Sequence, residues 1–386
     1  MTPVELSIVM PCLNEAETLP GCIEEAEQTL RLHGIAGEIV VADNGSTDGS
    51  GEIARRMGAR VVSVGARGYG SALMGGLEAA RGKYVLIGDS DGSYDFSEVP
   101  RFLEKLRDGY DLVQGCRLES GGGRVLPGAM PALHRFWGNP MFSRMARLWF
   151  RAPIHDIHCG MRGLSRALYD RLDQRCTGME FASEMIIKST LGGARITEVP
   201  ITLRPDRRKS QRRHLRTFRD GWRHLRFFLL YSPRWLFLVP GALLVLLGLA
   251  GYAIAMPQLR IGGVVFDVHT LLFASLAIVC GYQSILFAVF TKIFGMTEGL
   301  LPPDARMTRL FGILNLERGL LAGGAVMVAG LVLLLGAVNQ WRLQGFGPLD
   351  YERTMRWVIP GVTLTTVGFQ TILSSFFLSV LGLSRR

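Results

Sequence analysis

Two kinds of hydrophobic patterning divide this chain. As far as about Leu203, short apolar runs alternate with amphipathic stretches and polar turns. The runs Leu6–Met10, Glu38–Ala42, Arg60–Val64 and Tyr84–Ile87 have the length and composition of strands. Ala16–Leu32 repeats its apolar residues at helical spacing. Strands alternating with helices predict an α/β domain with a mostly parallel sheet, whose ligands bind beyond the carboxyl ends of the strands. After Trp235 the pattern changes to long apolar runs near Leu236–Met256, Thr270–Phe294, Leu320–Val338 and Trp357–Leu383. Each is long enough to cross a bilayer, which takes about 20 residues. The predicted organisation is an α/β domain over 1–203, a basic juxtamembrane segment over 204–234 and a four-helix transmembrane domain over 235–386. Gln283 and Gln370 lie inside spans and are expected to face neighbouring helices.

Charge sharpens this division. Between Arg204 and Arg226 stand ten Lys/Arg against Asp206 and Asp220, a net +8 out of the chain's +10. A nucleic-acid-binding tail has this composition, but the run directly precedes the first span. That position favours contact with anionic lipid, at about 1 kcal/mol per basic residue, or a topology signal. No nucleic acid is expected as a partner. Four spans return Arg385 and Arg386 to the starting side, so both termini are expected in the cytoplasm, with the loops near Gly262 and Gly345 outside. Met1–Pro11 lacks the basic start and the apolar length of a signal peptide. Six cysteines without a C-x-x-C pair read as small hydrophobes of a reducing compartment. His155, His158 and Cys159 lack the second ligand cluster that a structural zinc needs. Met130–Arg151 carries Leu133, Trp137, Met141, Met145, Leu148 and Trp149 at helical spacing, interleaved with Arg135, Arg144 and Arg147. That is the composition of an interfacial helix, split at Pro140, or of an ordinary core-facing one.

Three polar clusters follow strands: Asn14-Glu15, Asp43 to Asp48, and Asp89 to Asp95. In Gly88-Asp89-Ser90-Asp91-Gly92 two carboxylates at i and i+2 follow a buried strand and are placed to converge on one hard cation. Mg²⁺ or Mn²⁺ suits such carboxylates together with substrate phosphates. Asp95 either adds to them or caps the helix begun near Ser97. The Asp43 cluster is turn chemistry and also a candidate for binding a base and ribose. Gly65 to Gly70 is a Gly-rich loop able to bring backbone N–H groups near a diphosphate.

Ser7-Ile8-Val9-Met10-Pro11-Cys12-Leu13-Asn14-Glu15, Asp43-Asn44-Gly45-Ser46-Thr47-Asp48 and Gly88-Asp89-Ser90-Asp91, in that order and spacing, resemble the family 2 glycosyltransferases of the GT-A fold. Asp156-x-x-Cys159-Gly160-Met161-Arg162 resembles a segment of the polyprenyl- or dolichyl-phosphate sugar synthase branch. The resemblance implies inverting transfer from a UDP- or GDP-linked sugar to a polyprenyl phosphate. It implies a nucleotide pocket of Pro11, Asn14, Glu15, Asp43, Ser46 and Asp89, and a metal held by Asp89 and Asp91. Asp156 would lie near the sugar's reactive carbon and Glu184, with Glu180, on the acceptor side. Arg117, Arg135 and Arg162 would serve the acceptor phosphate. The Q-x-x-R-W signature of processive synthases is missing at Gln211-Arg212-Arg213-His214-Leu215. Transfer to a lipid hydroxyl and a non-enzymatic membrane scaffold remain the alternatives, and assembly with a second copy of the chain is open.

Overall fold

The computed structural model describes residues 3–208, 217–299, 301, 304 and 315–382. The segment Gln211–Leu215, the termini Arg385 and Arg386 and the end of the fourth span at Leu383 lie outside them, as does the middle of the basic run. The chain divides into two compact units, with the boundary between Phe228 and Leu229.

In the first unit the expected strands form where the apolar runs lie: β1 (Leu6–Cys12), β2 (Gly37–Asp43), β3 (Arg60–Ser63) and β4 (Tyr84–Ile87). Helices α1 (Leu19–Leu32), α2 (Ser50–Arg56), α3 (Tyr69–Ala79) and α4 (Val99–Arg107) connect or follow them. Then come β5 (Leu112–Cys116), β6 (Arg124–Val125), α5 (Asn139–Phe150), β7 (Arg162–Ser165), α6 (Arg166–Leu172), α7 (Phe181–Leu191), β8 (Ile196–Pro200) and β9 (Thr202–Leu203). Seven strands make one sheet in the order β3-β2-β1-β4-β7-β5-β8, and β6 pairs with β9. Every pairing in the large sheet is parallel except those of β7, which runs antiparallel to both β4 and β5. The chain leaves β1 toward β2 and β3 on one side, then returns to β4 on the other. That reversal makes β1/β4 the switch point, where the crevice of such a sheet opens.

Asp95 caps a single 3-10 turn ahead of α4, its carboxylate accepting from the Ser97 amide at 3.0 Å. Pro140 does not split the Met130–Arg151 segment as expected: helical backbone runs without a break from Ala132 through a π turn at His134–Gly138 into α5, and the wider turn accommodates the proline's missing N–H. Helix α8 (Thr217–Leu230) brings His224 and Phe228 onto the first unit. His224 Nδ1 lies 2.9 Å from Ser183 Oγ, and Phe228 is ringed by Phe142, Trp149 and Phe150.

Among its described residues the second unit has four helices long and apolar enough to cross a membrane: Arg234–Ala255, whose regular part is α9 (Val239–Ala255), α10 (Val268–Thr297), α11 (Leu316–Leu343) and α12 (Tyr351–Leu381). Only 11% to 22% of their most apolar windows is buried within the protein, so most of that surface is left for lipid. Between α9 and α10 sits a two-residue hairpin, β10 (Arg260–Ile261) with β11 (Val264–Val265), turning on Gly262 and Gly263, both at positive φ. Gln370 donates to Gln283 at 2.9 Å, so the two intramembrane amides meet across α12 and α10 as the sequence led us to expect. Small residues let backbones approach: a Cβ on Gly368 would stand 2.5 Å from Met327 N and 2.7 Å from Gly323 O.

Gly368→Leu should therefore wedge α12 from α11 and cost about 1–3 kcal/mol, the usual range for overpacking. The readout is a lower thermal midpoint in detergent. Gly336→Leu, where an added Cβ meets nothing within 4 Å, should leave the midpoint unchanged.

Candidate active site at the carboxyl edge of the sheet

Parallel strands deliver the loops that follow β1, β2 and β4 to one edge, where side chains stitch them together. Asn14 adopts a left-handed φ of 57°. Its amide donates to Ser46 Oγ at 3.0 Å, and its side-chain oxygen accepts from the Thr47 amide at 2.8 Å. The Asp43 carboxylate accepts from the Ser46 amide at 2.9 Å, and the Glu15 amide donates to Ser50 Oγ at 2.9 Å. Ser90 Oγ donates to the Pro11 carbonyl at 2.6 Å, tying the β4 loop to β1. Pro11, Asn14, Glu15, Asp43, Ser46 and Asp89 thus lie on loops held together at one edge of the sheet. Asn44, a residue of the quoted motif with no assigned role, holds the Gly-rich loop: it donates to the carbonyls of Val64 and Ala66 and accepts from the Gly68 amide. Gly68 and Gly70 are required there, because a Cβ on either would lie 2.2 Å from a carbonyl oxygen of Thr177 or Cys176.

Asp89 and Asp91 differ in surroundings. Burial and the neighbouring Asp91 carboxylate push Asp89 up to about 7, against the pull of the Tyr69 hydroxyl, which donates to it at 2.9 Å. A Cβ at Gly160 would be 2.6 Å from Asp89 Oδ2 and 2.9 Å from Tyr94 Oη, so the Asp156–Arg162 segment can press on the β4 loop only with glycine there. Tyr94 Oη accepts from the Gly160 amide at 2.7 Å. Asp91 Oδ1 accepts from the Ser93 amide at 3.0 Å, and Oδ2 from Arg208 at 3.2 Å. Among the described residues no group of three or more His, Cys, Asp and Glu side chains could enclose a metal. Two hard carboxylates, one of them poorly solvated and lacking a full counter-charge, fit a cation that completes its shell with phosphate oxygens and water. His155, His158 and Cys159 are engaged separately, with Glu198, Asn139 and the Met161 carbonyl.

Asp156 is fully buried, and both its oxygens are bonded to Arg117: Nε at 2.7 Å and the backbone amide at 3.0 Å on Oδ2, Nη2 at 2.9 Å on Oδ1. Glu198, on β8, accepts from the amides of His155 and Asp156 and lies 2.7 Å from His155 Nδ1. Glu184 is also fully buried, accepting from the amides of Arg175 and Cys176 and pairing with Lys188 at 2.8 Å. Of the three candidate phosphate arginines, two are used inside the fold. Arg117 holds Asp156, and Arg162, 2% exposed, donates to the carbonyls of Ala182 and Cys159. Arg135 pairs with Glu119 at 2.5 Å and lines a cavity of about 240 Å³ together with Arg144, Arg147, His155 and Phe136. Beside it Leu133, Trp137, Met141 and Leu148 stand exposed on the amphipathic segment. The two alternatives each hold for part of the segment: these four residues are exposed, while Trp149 packs on Phe228 and Phe142, Ala146 and Phe150 are buried.

The basic run also differs from expectation at its start. Arg204, Arg207 and Arg208 fold back onto the acidic loops: Arg204 pairs with Glu25 and Asp95, and Arg208 with Glu15, Asp91 and Asp206. Sequence reasoning missed Arg208 because it sits within a run whose composition points to lipid.

Removing one partner of a buried ion pair leaves the other charged and unsolvated. Arg117→Ala should destabilise the first unit by about 3–5 kcal/mol, read as a lower midpoint for its unfolding in the full chain. Arg117→Ala combined with Asp156→Asn should cost less than Arg117→Ala alone.

Comparison with known proteins adds the family. Residues 7–173 match Glycosyl transferase family 2, and residues 289–382 match the Glycosyltransferase family 2 C-terminal transmembrane region. The low-salt glycan biosynthesis hexosyltransferase Agl6 of Haloferax volcanii is 37% identical over 379 residues, 98% of this chain and 89% of that protein. A dolichyl-phosphate hexose transferase of the same organism is 34% identical over 201 residues, 52% of this chain and 83% of that one. Glucosyl-3-phosphoglycerate synthase of Mycobacterium tuberculosis, solved with Mn²⁺ and UDP, overlaps with a TM-score of 0.43 at 24% identity, over 53% of this chain and 72% of that one, too partially to argue from. With the motifs at the sheet edge, four apolar helices later in the chain and a relative matched over nearly its whole length, this integral membrane chain belongs to glycosyltransferase family 2 and is a glycosyltransferase.

Proposed function

We propose that the enzyme transfers a sugar from a UDP- or GDP-linked donor to a polyprenyl phosphate, with inversion, at the cytoplasmic face of the membrane. The cavity carrying Arg135, Arg144, Arg147 and His155 beside an exposed apolar helix face is the observation that carries this reading. Its arginines suit an anionic headgroup, and the exposed Trp137 and Leu148 suit the surface from which a lipid chain enters. The acceptor's chemistry agrees. A hydroxyl acceptor needs a positioned base, but Asp156 has both oxygens bound by Arg117, and Glu184 is buried against Lys188 and two amides. A phosphate monoester is already anionic near neutral pH, and needs orientation and charge balance instead. Four spans and a basic run before the first of them favour the cytoplasmic side for the catalytic unit. The dolichyl-phosphate hexose transferase among the relatives supports the same acceptor class.

In this reading Pro11, Asn14, Glu15, Asp43 and Ser46 receive the nucleotide, and Asp89 and Asp91 hold Mg²⁺ or Mn²⁺. The cation supplies charge stabilisation for the departing diphosphate. Tyr69 orients Asp89 and favours its charged form, and Asn44 fixes the Gly-rich loop over the crevice. Arg117 and Glu198 hold Asp156 and its segment in place, so Asp156 acts from a fixed position facing the donor side.

Two experiments test this. Vesicles that expose the cytoplasmic face should transfer label from an external nucleotide-sugar to polyprenyl phosphate, while vesicles of opposite orientation should not. Arg135→Glu with Arg144→Glu should lower that transfer on the order of 100-fold, with donor hydrolysis retained. Transfer to polyprenol or diacylglycerol, with none to the phosphate, would overturn the acceptor assignment.

The second concerns Asp89. A carboxyl raised to about 7 is favoured protonated in the fold, so its stabilising contribution is complete below 3.8 and is lost as pH rises through about 7. A cation needs the ionised form. Mn²⁺ affinity should therefore weaken as pH falls from 8 to 6. Tyr69→Phe deletes the bond that lowers Asp89, so the midpoint should move to higher pH and affinity at pH 7 should drop about tenfold. A pH-independent affinity would remove Asp89 from the cation site.

A further inference from the structure

Residues 204–208 leave β9 as an extended strap lying on the acidic loops. One end is anchored. The Arg204 amide donates to the Ser93 carbonyl at 2.9 Å, and its guanidinium pairs with both Glu25 and Asp95. The other end is held on the DxD loop itself. The Arg207 amide donates to the Asp91 carbonyl at 3.1 Å, and the Arg207 stem packs so closely on Gly92 that a Cβ there would be 2.8 Å from its Cδ. Arg208 follows, its side chain 12% exposed. Its Nη1 reaches Glu15 at 3.0 Å, and its Nη2 reaches Asp91 Oδ2 at 3.2 Å and Asp206 at 2.6 Å.

This places one fixed positive charge between the β1 and β4 loops, on the carboxylate proposed to ligate the cation. Asp91 Oδ1 accepts from the Ser93 amide, and Oδ2 carries Arg208, so a metal on this carboxylate would sit beside the guanidinium whichever oxygen it used. A divalent cation there would also face the guanidinium at short range in a poorly solvated cluster, where like charges repel strongly. Proximity of the two cations would thus favour one over the other. Release of Arg208 is eased by Asp206, which lies on the strap and leaves with it, so the guanidinium is not stripped of every partner. Pro205, between the anchor at Arg204 and the Arg207–Arg208 pair, lacks the N–H that strand pairing would need.

We propose that Arg208 gates cation loading: its guanidinium neutralises Asp91 and Glu15 until a divalent cation displaces it, and the strap then lifts from Asp91 about the anchor at Arg204. The proposal rests on the reading of Asp91 as a metal ligand.

The test is Mn²⁺ binding to the full chain in detergent, without nucleotide, followed by the electron paramagnetic resonance of free Mn²⁺. Arg208→Ala should bind Mn²⁺ about tenfold more tightly than the wild type, the scale on which a neighbouring opposite charge biases a carboxylate. Arg208→Lys, which keeps the charge but loses the fork, should fall between them. Asp91→Asn should abolish binding in either background. Asp91-dependent binding of equal or weaker affinity in Arg208→Ala would overturn the gate while leaving the metal reading intact. Binding that ignores Asp91 would overturn both. A measurement on the unaltered protein guards against a misfolded variant: with saturating Mn²⁺, residue-resolved hydrogen exchange should show the Arg207 amide losing protection and the Arg204 amide keeping it. Unchanged protection at Arg207 would reject the gate.

Discussion

Carboxylates brought together at the carboxyl edge of a parallel sheet must each find a counter-charge or donor, and the first unit is arranged around that requirement. Glu15, Asp89, Asp91, Asp156, Glu184 and Glu198 all lie buried or half-buried. Each has a different solution. Asp156 takes Arg117 through three donors, Glu184 takes Lys188 and two amides, and Glu198 takes two amides and His155. Glu15 and Asp91 share Arg208. Asp89 takes the Tyr69 hydroxyl and the more distant charges of Arg117 and Arg162, and stays raised. A buried charge without a partner is costly, so the acids with permanent partners build the frame. The incompletely compensated ones are those proposed to meet a ligand.

The same ordering separates frame from chemistry along the chain. Arg117, Arg162, Glu198 and Lys188 are bound within the unit and fix the loops. Gly68, Gly70 and Gly160 are glycines because those loops approach within contact distance of one another. Catalysis by positioning needs such rigidity, since a shift of about 1 Å in a loop can cost on the order of 100-fold in rate.

In the second unit the requirement is different. Lipid offers no hydrogen bonds, so backbone groups are satisfied within helices and polar side chains pair with each other. The Gln283–Gln370 contact and the Tyr252 hydroxyl, which lies 2.6 Å from Ser275 and 3.1 Å from Thr363, do this. Between helices, packing depends on small residues, because apolar side chains gain little by leaving lipid for one another.

Local patterning alone determined much of this protein. The periods of hydrophobic residues set the strands β1 to β4 within two residues and located all four apolar helices, because burial on a sheet face or in lipid is a demand on side chains that the sequence displays directly. The acidic motifs come together at one sheet edge, since the residues after parallel strands must arrive there. Partnership was decided only by tertiary structure. Arg117 lies 39 residues from Asp156, Tyr69 lies 20 from Asp89, and Arg208 lies 193 from Glu15. Nothing local distinguishes an arginine that neutralises a buried acid from one that meets phosphate or lipid, because the residue type is the same and the choice depends on which acids the fold brings within reach. Arg117 and Arg162 went to the frame, Arg135 to the cavity, and Arg208 to the acids, out of a run whose charge pointed to the membrane.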